Sequence, residues 1–284
     1  MASGLTLVFG IMDLINLAHG SLFMIGAYIC ATVFQMTGSF GIGLLAALAG
    51  SALVGILMEM VALRKLYTRS HLDQVLATYG LILFLNELTK VIWGPRALFL
   101  DVPGALSGTV EIIPGMPYPS FRLAIIVVGI IVAVGLYFLI LRTRIGMLIR
   151  ASATNREIVG ALGVNVKLLY TLVFGIGALL AGLAGAMAGP ILAVEVGMGE
   201  DILILTFVVV VIGGIGSIRG ALLGAVLVGV IDTLGRAFMP TLFKLFMTPA
   251  AADGVGSSLS SMAIYIFMAV ILAWKPKGLL PAHG

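Results

Sequence analysis

Charged residues are scarce in this chain of 284 residues. Only 10% of them are Asp, Glu, Lys or Arg, whereas 61% are hydrophobic, and the mean hydropathy is +1.21. In a typical soluble domain about 25% of residues are charged. So little charge cannot cover a globular surface, which excludes a soluble protein. We predict an all-α, polytopic transmembrane helical bundle that forms a single domain over residues 1–284.

Several kinds of catalytic and cofactor site are also missing from the sequence. The single cysteine, Cys30, excludes an intrachain disulfide, and the three histidines, His19, His71 and His283, lack metal-ligand spacing. The sequence contains no GxxxxGK[ST] phosphate loop, GxSxG nucleophile elbow or HExxH motif. The net charge of +4 is small and lies in loops, so nucleic acid is not expected as a partner. We therefore predict a protein without catalytic residues, cofactor or metal.

Apolar segments divide the chain into membrane spans, each of which needs about 20 helical residues. Seven segments have this length: 21–37, 41–62, 74–93, 123–141, 168–193, 220–239 and 258–274. Two others are shorter, namely 201–213 and 2–18, the latter interrupted by Asp13 and Asn16. We predict seven full spans and two interrupted or half-length segments, with an incomplete N-terminal span.

Basic residues predict the orientation of these spans, because cytoplasmic loops are enriched in Lys and Arg. The segments 63–73, 142–167, 214–219 and 275–284 hold 11 of the 16 basic residues. The opposite loops, 94–122 and 240–257, hold only three. The first group and the C-terminus are therefore predicted to be cytoplasmic, in a multi-pass membrane protein.

Loop 94–122 on the external side contains five of the ten prolines, at positions 95, 103, 114, 117 and 119. Proline at this density opposes a long helix and favours a stiff, extended segment. Two interpretations remain open, since the loop can either receive a soluble binding protein or simply cover the helix bundle.

Small residues recur at four-residue spacing in segment 175–189, which reads GIGALLAGLAGAMAG. Ala178 and Gly182 form one such pair, and Gly185 and Gly189 form another. Small residues at this spacing allow membrane helices to pack with their backbones in contact. For most of these glycines we expect a role in packing only.

Two polar or glycine-rich breaks lie between apolar stretches. One contains Asp13, Asn16, His19 and Gly20, and the other contains Gly213, Gly214, Gly216 and Ser217. Each break precedes a similar apolar run, which suggests two related halves. Paired interrupted helices point to a transport pathway. We therefore predict that these eight residues line or gate a substrate path.

The basic loop from Leu141 to Leu168 contains five basic residues and one acid. Helix-start residues Ser152 and Thr154 precede Glu157, and Gly163 is a predicted helix stop. We predict a short cytoplasmic coupling helix that a soluble motor subunit grips, formed by Ser152, Asn155, Arg156, Glu157, Ile158, Ala161, Leu162 and Gly163. The alternative is an amphipathic helix that rests on the inner leaflet.

Charged residues near the spans occur in pairs. Glu87 and Lys90 are three apart, and Asp232 and Arg236 are four apart, so each pair shares one helix face. Mutual neutralisation is the simpler interpretation of both pairs. Glu59 is expected to reach interfacial water or Arg64.

Four sequence blocks resemble the permease subunits of bacterial branched-chain amino acid ABC importers, of the LivH type. They are FGIMDLINLAHGSLFMIGAY at 9–28, HLDQVLATYGLIL at 71–83, RTRIGMLIRASATNREIVGALGVNV at 142–166 and FVVVVIGGIGSIRGALLGA at 207–225. The resemblance implies a helical permease in the lipid bilayer of the bacterial inner membrane that pairs with a second related permease subunit. It also implies two cytoplasmic ATP-binding subunits and a periplasmic substrate-binding protein.

Other functions remain open. Relatives within the resemblance transport urea or short amides, so the solute can differ from a branched-chain amino acid. A stand-alone channel or secondary transporter for a small neutral solute is the alternative from another class. The basic loop disfavours this alternative, because a channel needs no docking helix.

Overall fold

The computed structural model describes residues 1–113 and 115–281, so Pro114 and His283 lie outside the described residues. Within them the chain forms one small β-hairpin and eleven α-helices: α1 (Ala2–Met12), α2 (His19–Thr37), α3 (Phe40–Val61), α4 (His71–Trp93), α5 (Ser120–Arg142), α6 (Arg144–Thr154), α7 (Arg156–Ala161), α8 (Val166–Ala188), α9 (Met198–Gly213), α10 (Ile218–Phe243) and α11 (Pro249–Trp274).

Seven helices of the described chain are long and apolar enough to cross a membrane, namely α2, α3, α4, α5, α8, α10 and α11. The predicted polytopic helical bundle is therefore confirmed. The helix α1 is short, at 11 residues, and α9 has 16 residues, which also confirms two half-length segments.

Several predicted boundaries were wrong. The segment 168–193 is helical only to Ala188, because Gly189 and Pro190 end the helix, and turns and the Leu98–Val194 bridge follow. The helix α9 begins at Met198, three residues before the predicted 201. The predicted loop 240–257 is mostly helical: α10 continues to Phe243, and α11 begins at Pro249 instead of 258. Proline at the first position of a helix has a suitable φ and needs no intrahelical partner for its missing N–H.

Loop 94–122 contains regular structure that the sequence did not predict. Strands β1 (Thr109–Ile113) and β2 (Met116–Pro119) pair antiparallel, with Val110 opposite Tyr118. Before them, Leu98 and Val194 exchange two backbone hydrogen bonds of 2.9 Å. The expectation that this loop contains no long helix is confirmed for its described residues, in which only a short 3-10 helix at Gly104–Leu106 and the start of α5 at Ser120 are helical. The bonds between Leu98 and Val194 join the loop to the turns that follow α8.

Apart from Ala2, which belongs with the second unit, the chain divides between Leu203 and Ile204 into two compact units, and each is described by itself. In the first unit, α2, α3 and α8 pack around small residues. A Cβ on Gly26 would overlap the backbone of Gly182, and a Cβ on Gly55 would overlap Ala178. The predicted packing role of this small-residue segment is confirmed. In the second unit, α10 packs against α11.

Candidate functional site

The helical path of the chain is interrupted at Asp13, where α1 ends. Asp13 has φ 49° and ψ 37°, a left-handed conformation that few non-glycine residues adopt, and its N–H donates to the Phe9 carbonyl at 3.0 Å. The next helix begins at His19. The predicted break is confirmed, and the Asp13 side chain is exposed.

Asn16 and His19 are fully buried beside this break. Within the described residues, neither polar atom of the Asn16 side chain has a hydrogen-bond partner. His19 packs against two glycines: a Cβ on Gly4 would lie 3.3 Å from His19 Nε2, and one on Gly177 would lie 3.7 Å from Cε1. Gly20 packs against the backbone of Gly199. Three of the predicted path residues thus lie in the protein interior, and their role in transport stays a prediction.

The second break, in the other unit, is a tight reversal between α9 and α10. Gly214 and Gly216 have φ of 107° and 79°, values that suit glycine, and Ser217 caps α10 by accepting from the Gly220 N–H at 3.0 Å. The end of α9 is also tied to the C-terminal segment, because the Leu280 N–H donates to the Gly213 carbonyl at 2.9 Å. The interruption is confirmed, and its place in a path stays a prediction.

The basic loop contains two helices, and the predicted helix start was wrong. Ser152 lies inside α6 and is buried, while the Thr154 hydroxyl donates back to the Arg150 carbonyl at 3.1 Å. The cap of α7 is Asn155, whose side-chain oxygen accepts from the N–H groups of Glu157 and Ile158, each at 3.0 Å. An extended backbone at Asn155 separates the two helices. The predicted stop is consistent with Gly163, which has φ 86°.

The helix α7 presents apolar residues outward. Ile158 and Leu162 are 58% and 77% exposed, and Ala161 is exposed beside them. On the opposite side Val159 is buried, which anchors the helix to the protein. A helix that is held on one side and apolar on the other has a free surface suited to a protein partner.

A buried ionic network lies at the nearby ends of α3 and α8. The Glu59 carboxylate accepts from Arg64 Nε at 3.2 Å and Nη2 at 3.0 Å. It also accepts from the hydroxyls of Tyr67 at 2.7 Å and Thr171 at 2.8 Å. Burial, together with the hydrogen bond to this carboxylate, raises the pKa of the Tyr67 hydroxyl. The expected contact of Glu59 with Arg64 is confirmed, whereas the sequence did not reveal the two hydroxyl donors.

The two other charged pairs also form. Lys90 Nζ lies 2.6 Å from Glu87 Oε1, and Arg236 Nε lies 2.8 Å from Asp232 Oδ1. All four side chains have substantial solvent exposure, so these pairs neutralise helix surfaces and form no buried site.

A cavity of about 610 Å³ joins the first break to the basic loop. We call it the loop cavity. Its wall is formed by residues 11–13, 67–71, 74, 152–157 and 170, so it brings Asp13 next to Ser152, Asn155, Arg156 and Glu157. The sequence indicated neither this proximity nor the contribution of the loop between α3 and α4. The sequence signal that could have indicated this contribution was the polar residue Gln74 within the 71–83 block, which is buried in the structure.

Gln74 holds the wall of the loop cavity together. Its side-chain nitrogen donates to the carbonyls of Leu66 and Arg69 at 3.3 and 3.4 Å. Its side-chain oxygen accepts from the Ile15 N–H at 3.2 Å. The break between α1 and α2 is thus fixed to the loop that follows α3.

Comparison with known proteins agrees with this architecture. Residues 1–272 match the family model described as "Branched-chain amino acid transport system / permease component". The chain is 30% identical to the high-affinity branched-chain amino acid transport system permease protein BraD of Pseudomonas aeruginosa, over 99% of this chain and 90% of that protein. It is 28% identical to the permease protein LivH of Escherichia coli, over 86% of this chain and 83% of LivH.

A relative that matches a smaller part of the chain is named for a different solute. A nucleoside ABC transporter permease protein, NupC of Lactococcus lactis, is 30% identical over 51% of this chain and 44% of its own length. No solved structure gives a significant match. The family match covers both breaks, the basic loop and nearly all spans, and the chain therefore belongs to the permease component family of branched-chain amino acid transport systems.

Proposed function

We propose that this chain is the permease subunit of an ABC importer for branched-chain amino acids. The observation that carries this proposal is the family match over residues 1–272, together with relatives named for that transport along most of their length. Seven apolar helices supply the membrane-spanning part of such a subunit. The chain supplies the path, and separate subunits supply the hydrolysis of ATP.

The proposed assembly contains a second related permease subunit, two cytoplasmic ATP-binding subunits and a periplasmic substrate-binding protein. It lies in the inner membrane with the C-terminus of this chain in the cytoplasm. The charge bias of the loops supports this orientation, because 11 of the 16 basic residues lie on one side of the predicted topology.

We infer that α7 is the coupling helix. Its support is the exposed apolar surface of Ile158, Ala161 and Leu162 on a helix anchored by Val159. Arg156 and Glu157 are exposed next to this surface and are suited to the polar rim of a protein interface. The surface contains no aromatic residue, which disfavours the alternative of a helix lying in the membrane interface.

Uptake by a reconstituted importer tests the proposed function. The chain is co-expressed with a second permease subunit, ATPase subunits and a binding protein of the proposed assembly, and uptake of labelled L-leucine into cells is measured. We expect ATP-dependent uptake that unlabelled isoleucine and valine suppress and that urea and adenosine do not. Suppression by urea or adenosine alone would assign a different solute, and uptake without the ATPase would favour a stand-alone transporter.

A further inference from the structure

The loop cavity has the size of a small-molecule site. The buried residues of the predicted path, Asn16, His19 and Gly20, do not line it. Its volume of about 610 Å³ is within the range of roughly 300–1,000 Å³ that ligand pockets occupy. All of its wall belongs to the first compact unit. The nature of its wall therefore indicates which ligand it can hold.

Both signs of charge line the loop cavity. Arg69 and Arg156 supply two positive charges, and Asp13 and Glu157 supply two negative charges. Their sum is zero, so the cavity has no net attraction for a polyanion such as a nucleotide. A ligand with one positive and one negative group gains favourable Coulomb interactions with both pairs.

Ser152 gives the cavity an unused hydrogen-bonding group. This residue is 4% exposed, and its hydroxyl has no hydrogen-bond partner within the described residues. Other hydroxyls on the helices donate to the carbonyl four residues earlier, as Thr154 does at 3.1 Å and Thr78 at 2.8 Å. A buried polar group without a partner is uncommon, and one that lines a cavity is available to a ligand.

A smaller apolar surface completes the wall, most of which is polar. Met12 and Ile11 lie on one side, and the rings of Tyr67 and Tyr170 pack edge to face with their centroids 5.4 Å apart. The Tyr170 hydroxyl donates to the Ile11 carbonyl at 3.4 Å, so the aromatic pair is fixed to the end of α1. A ligand with an aliphatic portion can bury it against these residues.

We propose that the loop cavity binds a free amino acid in its zwitterionic form. The carboxylate is recognised by Arg69 and Arg156, the ammonium group by Asp13 and Glu157, and the Ser152 hydroxyl bonds one of the two. The aliphatic side chain lies against Met12 and the tyrosine rings. This ligand uses both charge signs, the unpartnered hydroxyl and the apolar surface together.

Occupancy of the loop cavity bears on α7, because residues 152–157 form both part of its wall and the start of that helix. This consequence rests on the proposed coupling function of α7. A bound amino acid links the start of α7 to residues 11–13 and restrains its movement. The cavity is thus a feedback site, through which amino acid accumulated on the basic-loop side slows further import.

Binding is tested on the full chain, purified with its permease and ATPase partners in lipid discs and without the binding protein. Labelled L-leucine is the probe, and 4-methylpentanoate, isopentylamine and inorganic phosphate are the competitors. We expect saturable leucine binding and competition at least about tenfold weaker from each singly charged analogue, because each lacks one charge-assisted contact. Stronger binding of phosphate than of leucine would overturn the proposal. Stronger competition from O-phosphoethanolamine would instead indicate a lipid headgroup and would overturn it as well.

Variants of residues in the cavity wall test whether leucine binds in the loop cavity. Arg69→Gln and Ser152→Ala should each weaken leucine binding, by about tenfold for the arginine. Arg144→Gln, an exposed arginine of α6 outside the cavity wall, is the matched control and should bind as wild type. Equal melting temperatures of Arg69→Gln and wild type exclude unfolding as the cause. If Arg69→Gln binds leucine with unchanged affinity, the loop cavity is not the site.

Feedback is measured separately in proteoliposomes. Leucine is enclosed with ATP on the ATPase side. The initial rate of uptake is compared with that of vesicles that contain ATP but no leucine. We expect the enclosed leucine to lower the rate in wild type and to have less effect in Arg69→Gln. An equal effect in both proteins would overturn the regulatory role. Binding in the discs does not depend on transport, so failure of this site and failure of the proposed import function are distinguishable.

Discussion

The carboxylate of Glu59 is fully buried and forms a two-bond ion pair with Arg64, five residues further along the chain. Arg64 also donates to Thr171 on α8 at 2.8 Å. The pair therefore joins the end of α3 to another span. Because the Glu59 carboxylate is removed from solvent, each hydrogen bond that it accepts stabilises this end of the helix bundle.

Replacement of Glu59 by glutamine should lower the free energy of unfolding by about 1–3 kcal/mol. The variant leaves Arg64 without a counter-charge, although partial exposure of its side chain, 32%, limits the loss. Thermal unfolding in detergent measures the effect. The control is Glu87→Gln, in an ion pair whose carboxylate side chain is 68% exposed, and a change below about 0.5 kcal/mol is expected there. Equal effects of the two variants would show that the Glu59 network contributes no special stability.

Because of Tyr67, the free energy of unfolding should decrease as the pH becomes alkaline. The folded protein holds the pKa of this hydroxyl above its usual value, so the unfolded state ionises first. The stabilisation is complete below about pH 10, the ordinary tyrosine value, and is lost above it by about 1.4 kcal/mol per pH unit. Tyr67→Phe should show a smaller alkaline loss in melting experiments between pH 8 and 11. Tyr118→Phe, in the β-hairpin, is the control and should keep the wild-type slope.

Labelling of introduced cysteines tests the orientation. Ser107→Cys in loop 94–122 should react with an impermeant maleimide added to the outside of cells. Leu162→Cys at the end of α7 should react only after the membrane is opened. Both positions are exposed, whereas Ser152 is buried and would resist labelling on either side. The native Cys30 is buried and gives little background. The reverse pattern would contradict the predicted topology.

A negative charge on α7 should uncouple the importer. Ala161→Glu places a carboxylate within the exposed apolar surface, where burial against a partner makes it costly. Expression should be unchanged, while both uptake and co-purification of the ATPase fall, the latter by about tenfold or more. Ala105→Glu, the same substitution at an exposed site of loop 94–122, should alter neither. Normal retention and stimulation of the ATPase by Ala161→Glu would exclude α7 as the coupling helix.

Replacement of Asn16 by alanine should reduce transport without reducing stability. Its side chain is buried without a hydrogen-bond partner in the described residues, so Asn16→Ala should leave stability unchanged or raise it by up to about 1–2 kcal/mol. If Asn16 and His19 gate the path, uptake should nevertheless fall in Asn16→Ala and in His19→Ala. Uptake and melting temperature are measured on the same preparations. Full uptake by both variants at normal expression would contradict the gate prediction.

The sequence predicted the features that depend on local composition. Apolar length gave the seven spans, and the polar residues Asp13 and Asn16 gave the interruption after α1. The end of α8 was misplaced because residues 189–193 are apolar and extend the hydrophobic run, although Gly189 and Pro190 are a helix-stop signal. The start of α11 was missed because Pro249, Gly254 and Gly256 resemble a loop, although Pro249 occupies a helix N-terminus.

The features that depend on distant parts of the chain could not be predicted. Thr171 bonds to Glu59 from 112 residues away, and Gln74 holds Ile15 from 59 residues away. Neither partner has a periodicity or motif that reveals the other. The cap of α7 was misassigned for a local reason, since Ser152, Thr154 and Asn155 are all suitable caps. Only the extended backbone at Asn155 decides among them.

The glycine contact between α2 and α8 has a mechanical consequence. Gly26 and Gly182 lie so close that even a methyl group would overlap the facing backbone, and Gly185 meets the Phe23 carbonyl in the same way. Helices that interlock this closely cannot slide or rotate past each other without steric collision. We therefore expect α2 and α8, together with α3, to move as one body in any conformational change. The moving parts must be sought where no such interlock exists, and the outward surface of α7 is one such place.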